Sequence, residues 1–154
     1  MIPLDQVLRP ERTFVDDFGA SKKKVLQTLA ERLSKTLTGV SDVELFDQLI
    51  ARERLGSTGI GSGVAIPHCR LVGLDKPTAA LVLLTNPIDF QAIDAKPVDL
   101  VFALVVPIDA TDEHLQLLAM VVEKVNDPKS LALIRQCPSA MALYEQFVGA
   151  PNKQ

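Results

Sequence analysis

Two stretches of this chain contain almost no polar residue, Thr78 to Leu84 and Val98 to Val106. Both are rich in valine, leucine and alanine, and prolines bound them at Pro87, Pro97 and Pro107. A strand that buries one face alternates apolar and polar residues, whereas a strand apolar at nearly every position must be covered on both faces. The two runs therefore predict central strands with helices packed above and below. The expected fold class is α/β, a single domain over residues 1–154 with a mixed central β-sheet flanked by helices on both faces. A chain of 154 residues is of the size that forms one core.

The remaining segments supply the covering layers. Thr13-Phe14-Val15 reads as a first strand, after a leading turn over residues 1–10 that ends at Pro10. Ser21 is a good N-cap for a helix running to about Leu37, with Leu26, Leu29, Leu33 and Leu37 on one face, and Gly39 stops it. Ser41 and Glu44 have capping-box spacing. The helix they open is expected to end near Arg54, to bury Phe46, Leu49 and Ile50, and to expose Asp47 and Glu53. Thr111 is expected to cap a helix with Asp112 and Glu113 in its first turn and Leu115, Leu118, Val122 and Val125 inward. Asp127-Pro128 opens another helix. Pro138 opens the last, through Leu143 and Phe147, and residues 151–154 read as a frayed end. There is no internal repeat, linker or low-complexity segment.

Composition narrows the function classes. A net charge of −3 excludes a general nucleic-acid binder, which needs a concentrated basic face. The one basic run, Lys22-Lys23-Lys24, reads as a solvated helix face. No apolar stretch approaches the ~20 residues that span a bilayer, and the N-terminus lacks a signal-peptide pattern. The expected location is the cytoplasm, with no membrane insertion. Cys69 and Cys137 are too few for a disulfide framework and are expected to be thiols, with Cys69 a small packed residue.

The candidate chemistry lies at Gly56-Ser57-Thr58-Gly59-Ile60-Gly61-Ser62-Gly63-Val64-Ala65-Ile66-Pro67-His68. Glycines at 56, 59, 61 and 63 allow sharp turns and close approach to a ligand. Val64 to Ile66 reads as a brief strand, and Pro67 stiffens the segment that delivers His68. After His68 the chain turns through Gly73. The loop lacks the Gly-Lys-Ser/Thr ending of a P-loop. Val64 stands where a dinucleotide fingerprint has its third glycine, and strand and proline follow where that fingerprint needs a helix. Two histidines and two scattered cysteines form no zinc pattern, so neither metal nor cofactor is expected. Nothing local organises Ser57 or Ser62 as a hydrolase nucleophile.

What remains is His68 as a direct nucleophile, a neutral imidazole attacking phosphorus. Such a site needs positive charge and donors around the phosphoryl oxygens. Loop amides from Gly56 through Gly63 can act as donors. Arg52 or Arg54 can supply charge, and the pattern does not choose between them. His114, in the first turn of a helix, can donate a hydrogen bond to phosphoryl oxygen in either protonation state. The bland alternatives are that the glycines only shape a turn and that His114 is structural.

Residues Arg52 to His68 resemble the active-site signature of the enzyme IIA components of the bacterial phosphoenolpyruvate phosphotransferase system. The class is the fructose/mannitol type, which includes the nitrogen-regulatory IIA proteins. The resemblance extends through Pro87 to Phe90, Lys96 to Phe102 and Glu113 to Ala119, nearly the whole chain, as one IIA type-2 domain. One departure is Cys69, where glycine often follows the histidine. The resemblance implies phosphorylation of His68 at Nε2, assistance from Arg52 and His114, and a phosphorylated HPr-like carrier as donor. It implies a phosphotransferase component of one of two kinds. A nitrogen-regulatory protein binds targets according to its phosphorylation state, and the signature is most similar to that branch. A sugar-specific IIA passes the group to a IIB component, a role that a chain without IIB or membrane domain can still fill. A non-catalytic binding module is the distant alternative.

Overall fold

The computed structural model describes residues 3–149, so the tail expected to fray lies outside the described residues. In chain order the elements are α1 (Leu4–Val7), β1 (Leu8–Asp16), α2 (Lys22–Ser34), α3 (Asp42–Leu55), β2 (Gly59–Gly61), β3 (Val64–Ala65), β4 (His68–Leu71), β5 (Thr78–Ile88), β6 (Val98–Pro107), α4 (Glu113–Asn126), α5 (Pro128–Arg135) and α6 (Ala140–Val148). The two apolar runs became β5 and β6, an antiparallel pair with Leu81 opposite Phe102. The sheet order is β1-β5-β6-β3-β2, and β4 also pairs with β6. β1 runs parallel to β5, while β3 and β4 run parallel to β6, so the sheet is mixed.

The period of two in a strand divides β5 and β6 between two cores. Ala80, Val82, Leu84, Val101, Ala103 and Val105 pack with Leu26, Leu29, Leu33, Leu45 and Leu49 of α2 and α3. Ala79, Leu81, Leu83, Leu100, Phe102, Leu104 and Val106 pack with Leu117, Val121, Leu131, Leu143 and Phe147 of α4, α5 and α6. Side-chain caps set several helix starts. Ser21 accepts from the Lys24 amide, Ser41 from Glu44, Asp127 from Lys129 and Ser139 from Ala142.

The structure departs from the sequence reading at identifiable points. The leading residues form a short helix and then strand, not a turn. β1 continues through Pro10, with a register shift between Leu8 and Thr13. An edge strand tolerates proline because its missing amide weakens no central ladder. β5 likewise runs past Pro87 to Ile88, through a register shift after Leu83. α2 ends at Ser34, and the Thr36 and Leu37 amides close tighter turns onto Leu33 and Ser34. α4 begins one residue later than expected, after Asp112, with no side-chain cap. Its buried face is Leu117, Leu118, Val121 and Val125, which leaves Leu115 and Val122 outside. In α3 the buried stripe is Leu45, Leu49 and Glu53, with Phe46 and Ile50 only partly covered.

The stack of Phe102 on Phe147, centroids 5.7 Å apart, ties the central strand to the last helix. Both side chains are fully buried. Phe102→Ala is expected to cost about 3–5 kcal/mol. Urea unfolding measures it, and a loss below about 1 kcal/mol contradicts this account of the core.

Candidate active site

β3 and β4 are two halves of one line along β6. Val64 and Ala65 pair with Leu100 and Val101, and His68 to Leu71 pair with Leu104 to Pro107. Ile66 and Pro67 form the break between the halves. Pro67 has no amide to contribute, but its carbonyl accepts from the Leu104 amide at 3.0 Å. The register therefore continues, and His68 is anchored opposite Leu104. In β4 the side chains alternate. Cys69 and Leu71 enter the α2/α3 core, whereas His68 and Arg70 are half-buried at the surface.

The His68 Nδ1 lies 2.9 Å from the Ile66 carbonyl oxygen. A carbonyl only accepts, so Nδ1 carries the proton and the neutral ring keeps its lone pair on Nε2. His114 has the same arrangement, with Nδ1 2.8 Å from the Thr111 carbonyl. Its Nε2 consequently donates a hydrogen bond only when the ring is an imidazolium. This corrects the expectation that either protonation state can donate.

A depression of about 470 Å³ gathers His68, His114, Arg52 and Arg70, with Leu55, Leu104 and Val106 as apolar wall. Residues from the end of α3, from β4 and from the start of α4 thus meet at one place. The Arg52 guanidinium donates to the Gly56 carbonyl at 3.0 Å, which fixes it across the helix end. Arg54 lies at a different surface with Lys23 and Asp47, so the choice between the two arginines falls on Arg52.

The glycine stretch does something other than surround this depression. Among the described residues, none from 56 to 63 lines it. β2 and β3 form a hairpin whose two-residue turn, Ser62-Gly63, has positive φ at both positions, 59° and 79°. The Gly56 amide donates to the Glu53 carbonyl, the Thr58 amide to the Glu53 carboxylate, the Gly59 amide to Ser57 Oγ, and the Ser62 amide to Asp94. These donors are already committed. Gly59 is required by close approach, because a Cβ there would stand 2.7 Å from the Cβ of Ala92. Ile60 and Gly61 continue the β2 strand.

The family description "Phosphoenolpyruvate-dependent sugar phosphotransferase system, EIIA 2" matches residues 6–148. The chain belongs to this family. It is 44% identical to the nitrogen regulatory protein of Pseudomonas aeruginosa over 154 residues, covering 100% of each chain. It resembles the crystal structure of nitrogen regulatory protein IIA-Ntr from Neisseria meningitidis with a TM-score of 0.87 and 34% identity, covering 92% of this chain and 97% of that one. The mannitol IIA of Escherichia coli, solved in complex with phosphorylated mannitol IIB, shares the fold at a TM-score of 0.75 and 18% identity, covering 93% and 99%. The mixed α/β fold described above is that of the IIA proteins.

Within this IIA domain, burial lowers the His68 pKa below its ordinary 6.5. The bond to the Ile66 carbonyl opposes that shift, and the nearby charges of Arg52 and His114 add to it. The neutral form of the ring is therefore favoured at pH 7. Burial pushes the Cys69 thiol up to about 12, so it stays protonated and packed. Among the described residues no group of three or more His, Cys, Asp or Glu comes together, and no helix is long and apolar enough to cross a membrane.

Two residues were missed from sequence. Arg70 Nη1 donates to the carbonyls of Ile108 at 3.2 Å and Ala110 at 2.9 Å, and so braces the loop that carries His114. Had residues 68–71 been read as a strand, the alternation would have put Arg70 beside His68. Glu53, expected on the exposed side of α3, is 7% exposed. Its spacing of four and eight residues from Leu49 and Leu45 was the available signal.

The His68 shift has a direct check. Ring NMR should show His68 titrating below pH 6.5. Because Arg52 lowers that pKa, Arg52→Gln should move the titration upward. The unfolded chain binds the proton more readily, so the site also loses stability as pH falls from about 6.5 toward the depressed native value. A His68 midpoint above 6.5 contradicts the burial argument.

Proposed function

We propose that this IIA domain is a cytoplasmic phosphocarrier that takes a phosphoryl group onto His68 Nε2 from an HPr-like phosphocarrier protein. In the transfer, the Nε2 lone pair forms a bond to phosphorus as the donor's P–N bond breaks and its electron pair returns to the donor imidazole. The observation that carries the reading is the tautomer. The Ile66 carbonyl holds the proton on Nδ1 and leaves Nε2 as the reactive nitrogen. Arg52 supplies charge and donors to the phosphoryl oxygens, and His114 a donor there when its ring is an imidazolium. In this reading the stretch from Gly56 to Gly63 supports the segment that delivers His68 and contributes no amide to the phosphate.

The domain's output is phosphorylation-dependent regulatory binding of the nitrogen-regulatory kind. Full-length likeness to the Pseudomonas aeruginosa protein supports that branch. So does the exposure of Leu55, which lines the site and is 84% exposed. An apolar rim around a basic depression suits a protein partner. Phosphorylation adds about −1.5 to −2 charges there, which disfavours an apolar or acidic partner. The second reading, a sugar-specific IIA that hands its phosphoryl group to a IIB component, draws on the mannitol IIA likeness, which is one of fold.

The carrier step is tested by incubating the protein with phosphoenolpyruvate, enzyme I and the HPr-like carrier and measuring intact mass. One acid-labile, alkali-stable phosphate adduct is expected, lost in His68→Ala. An adduct that persists in His68→Ala refutes the assignment. Arg52→Ala and His114→Ala should slow acceptance by about 100-fold or more while the thermal midpoint stays near that of the parent.

The output is tested separately. Phosphorylated and unphosphorylated protein should retain different partners on an affinity column. Identical partners, together with loss of growth on one sugar after gene deletion, would replace the regulatory reading with the sugar-specific one.

A further inference from the structure

Glu53 occupies a position where a carboxylate is expensive. It is 7% exposed, near the end of α3, and continues the apolar stripe of Leu45 and Leu49. Desolvating a charge is unfavourable unless partners replace the lost water. Glu53 has three. Lys22 Nζ from α2 donates to Oε2 at 2.9 Å, the Thr58 amide to Oε2 at 2.9 Å, and the Thr58 hydroxyl to Oε1 at 2.7 Å. Lys22 is thereby partly covered and paired with Glu53, where the basic run read as a solvated face, and its ammonium is also 5.1 Å from the Phe90 ring centroid.

Thr58 is held at both ends. While its amide and hydroxyl are bound to Glu53, its carbonyl accepts from the Ile66 amide at 2.9 Å. The carbonyl of Ile66 in turn accepts from His68 Nδ1 at 2.9 Å. The links run Lys22, Glu53, Thr58, Ile66, His68 without interruption. Ile66 lies in the break between β3 and β4, where the residue that follows is a proline with no amide. Thr58 is thus a main support for the peptide that orients the imidazole.

We propose that Glu53, braced by Lys22, is a positioning residue for His68, acting through Thr58 and the Ile66 carbonyl to keep the ring in its Nδ1–H tautomer with Nε2 available. The inference rests on the phosphocarrier reading above for its consequence in transfer, but not for the tautomer itself. If the Ile66 carbonyl drifts, Nδ1–H loses its acceptor. The ring is then free to take the Nε2–H tautomer that isolated imidazole side chains favour in water. In that tautomer Nε2 has no lone pair for phosphorus. An apolar residue of similar volume at position 53 would fill the space without the desolvation penalty. It would offer nothing to the Thr58 amide.

The test uses the full chain and the variants Glu53→Gln, Lys22→Met and Thr58→Val, each checked for a native thermal transition. Long-range proton–nitrogen NMR reports the His68 tautomer in the unphosphorylated protein, and initial rates with phosphorylated HPr-like carrier give kcat and KM. The expected result is a fall in the Nδ1–H tautomer population and a drop in kcat of about 10- to 100-fold at unchanged KM. Folded variants that retain the parent tautomer, or the parent kcat, overturn the proposal. If Glu53→Gln does not fold, Lys22→Met and Thr58→Val decide it, because both leave the carboxylate in place. If the parent protein accepts no phosphoryl group, the phosphocarrier reading fails, and the ring spectra alone still decide whether Glu53 sets the tautomer.

Discussion

Strand β6 is hydrogen-bonded along both edges and buried on both faces, and most of the architecture follows from that double demand. Its edges are satisfied by β5 on one side and by β3 and β4 on the other. Its faces are satisfied by α2 and α3 on one side and by α4 to α6 on the other. A backbone group left unpaired there would cost the full desolvation of an amide. The two short strands must therefore hold register with β6 even across Pro67. That requirement places His68 opposite Leu104, at the rim where the sheet meets the ends of α3 and α4.

The electrostatics of the rim follow from how it is assembled. His68 is half-buried against Leu104 and Val106, so its charged form is disfavoured, and the positive charges nearby disfavour it further. The same depression carries Arg52 and Arg70, each of which donates to backbone carbonyls. A neutral imidazole beside two arginine cations is an arrangement suited to an incoming dianionic group. Glu53, the nearest acid in sequence, is turned inward and consumed by Lys22 and Thr58.

The hairpin of residues 59–65 is braced from the other side of the molecule as well. Arg135 of α5 grips both carboxylate oxygens of Asp99 and donates to the Ser62 carbonyl. The Gly63 carbonyl accepts from the Asp99 and Leu100 amides. With φ at 79°, Gly63 occupies backbone space that a side chain rarely adopts, and a Cβ there would collide with Arg135. Gly59 and Gly63 are therefore accounted for by a hairpin folded closely against Ala92 and Arg135, with the Ser62 amide bound to Asp94.

Local sequence determined what depends on neighbours in the chain. The doubly apolar runs required a covered sheet, serine and aspartate caps set helix starts at Ser21, Ser41 and Asp127, and Pro67 isolated the two halves of the strand line before His68, whereas the last helix starts from Ser139 and not from Pro138. The resemblance of residues 52–68 to the IIA signature singled out His68 for chemistry. Only the tertiary structure decided which arginine joins it, since Arg52 and Arg54 are equivalent until the helix end is seated against β4. It also decided that Glu53 is interior, because its partners come from α2 and from a loop that folds back five residues later. It decided the face of α4, where Leu117 and Val121 are buried in place of Leu115 and Val122. Above all it decided the tautomers of both histidines. A ring nitrogen's proton is assigned by the acceptor opposite it, and the Ile66 and Thr111 carbonyls take up those positions only when strand and helix are in place.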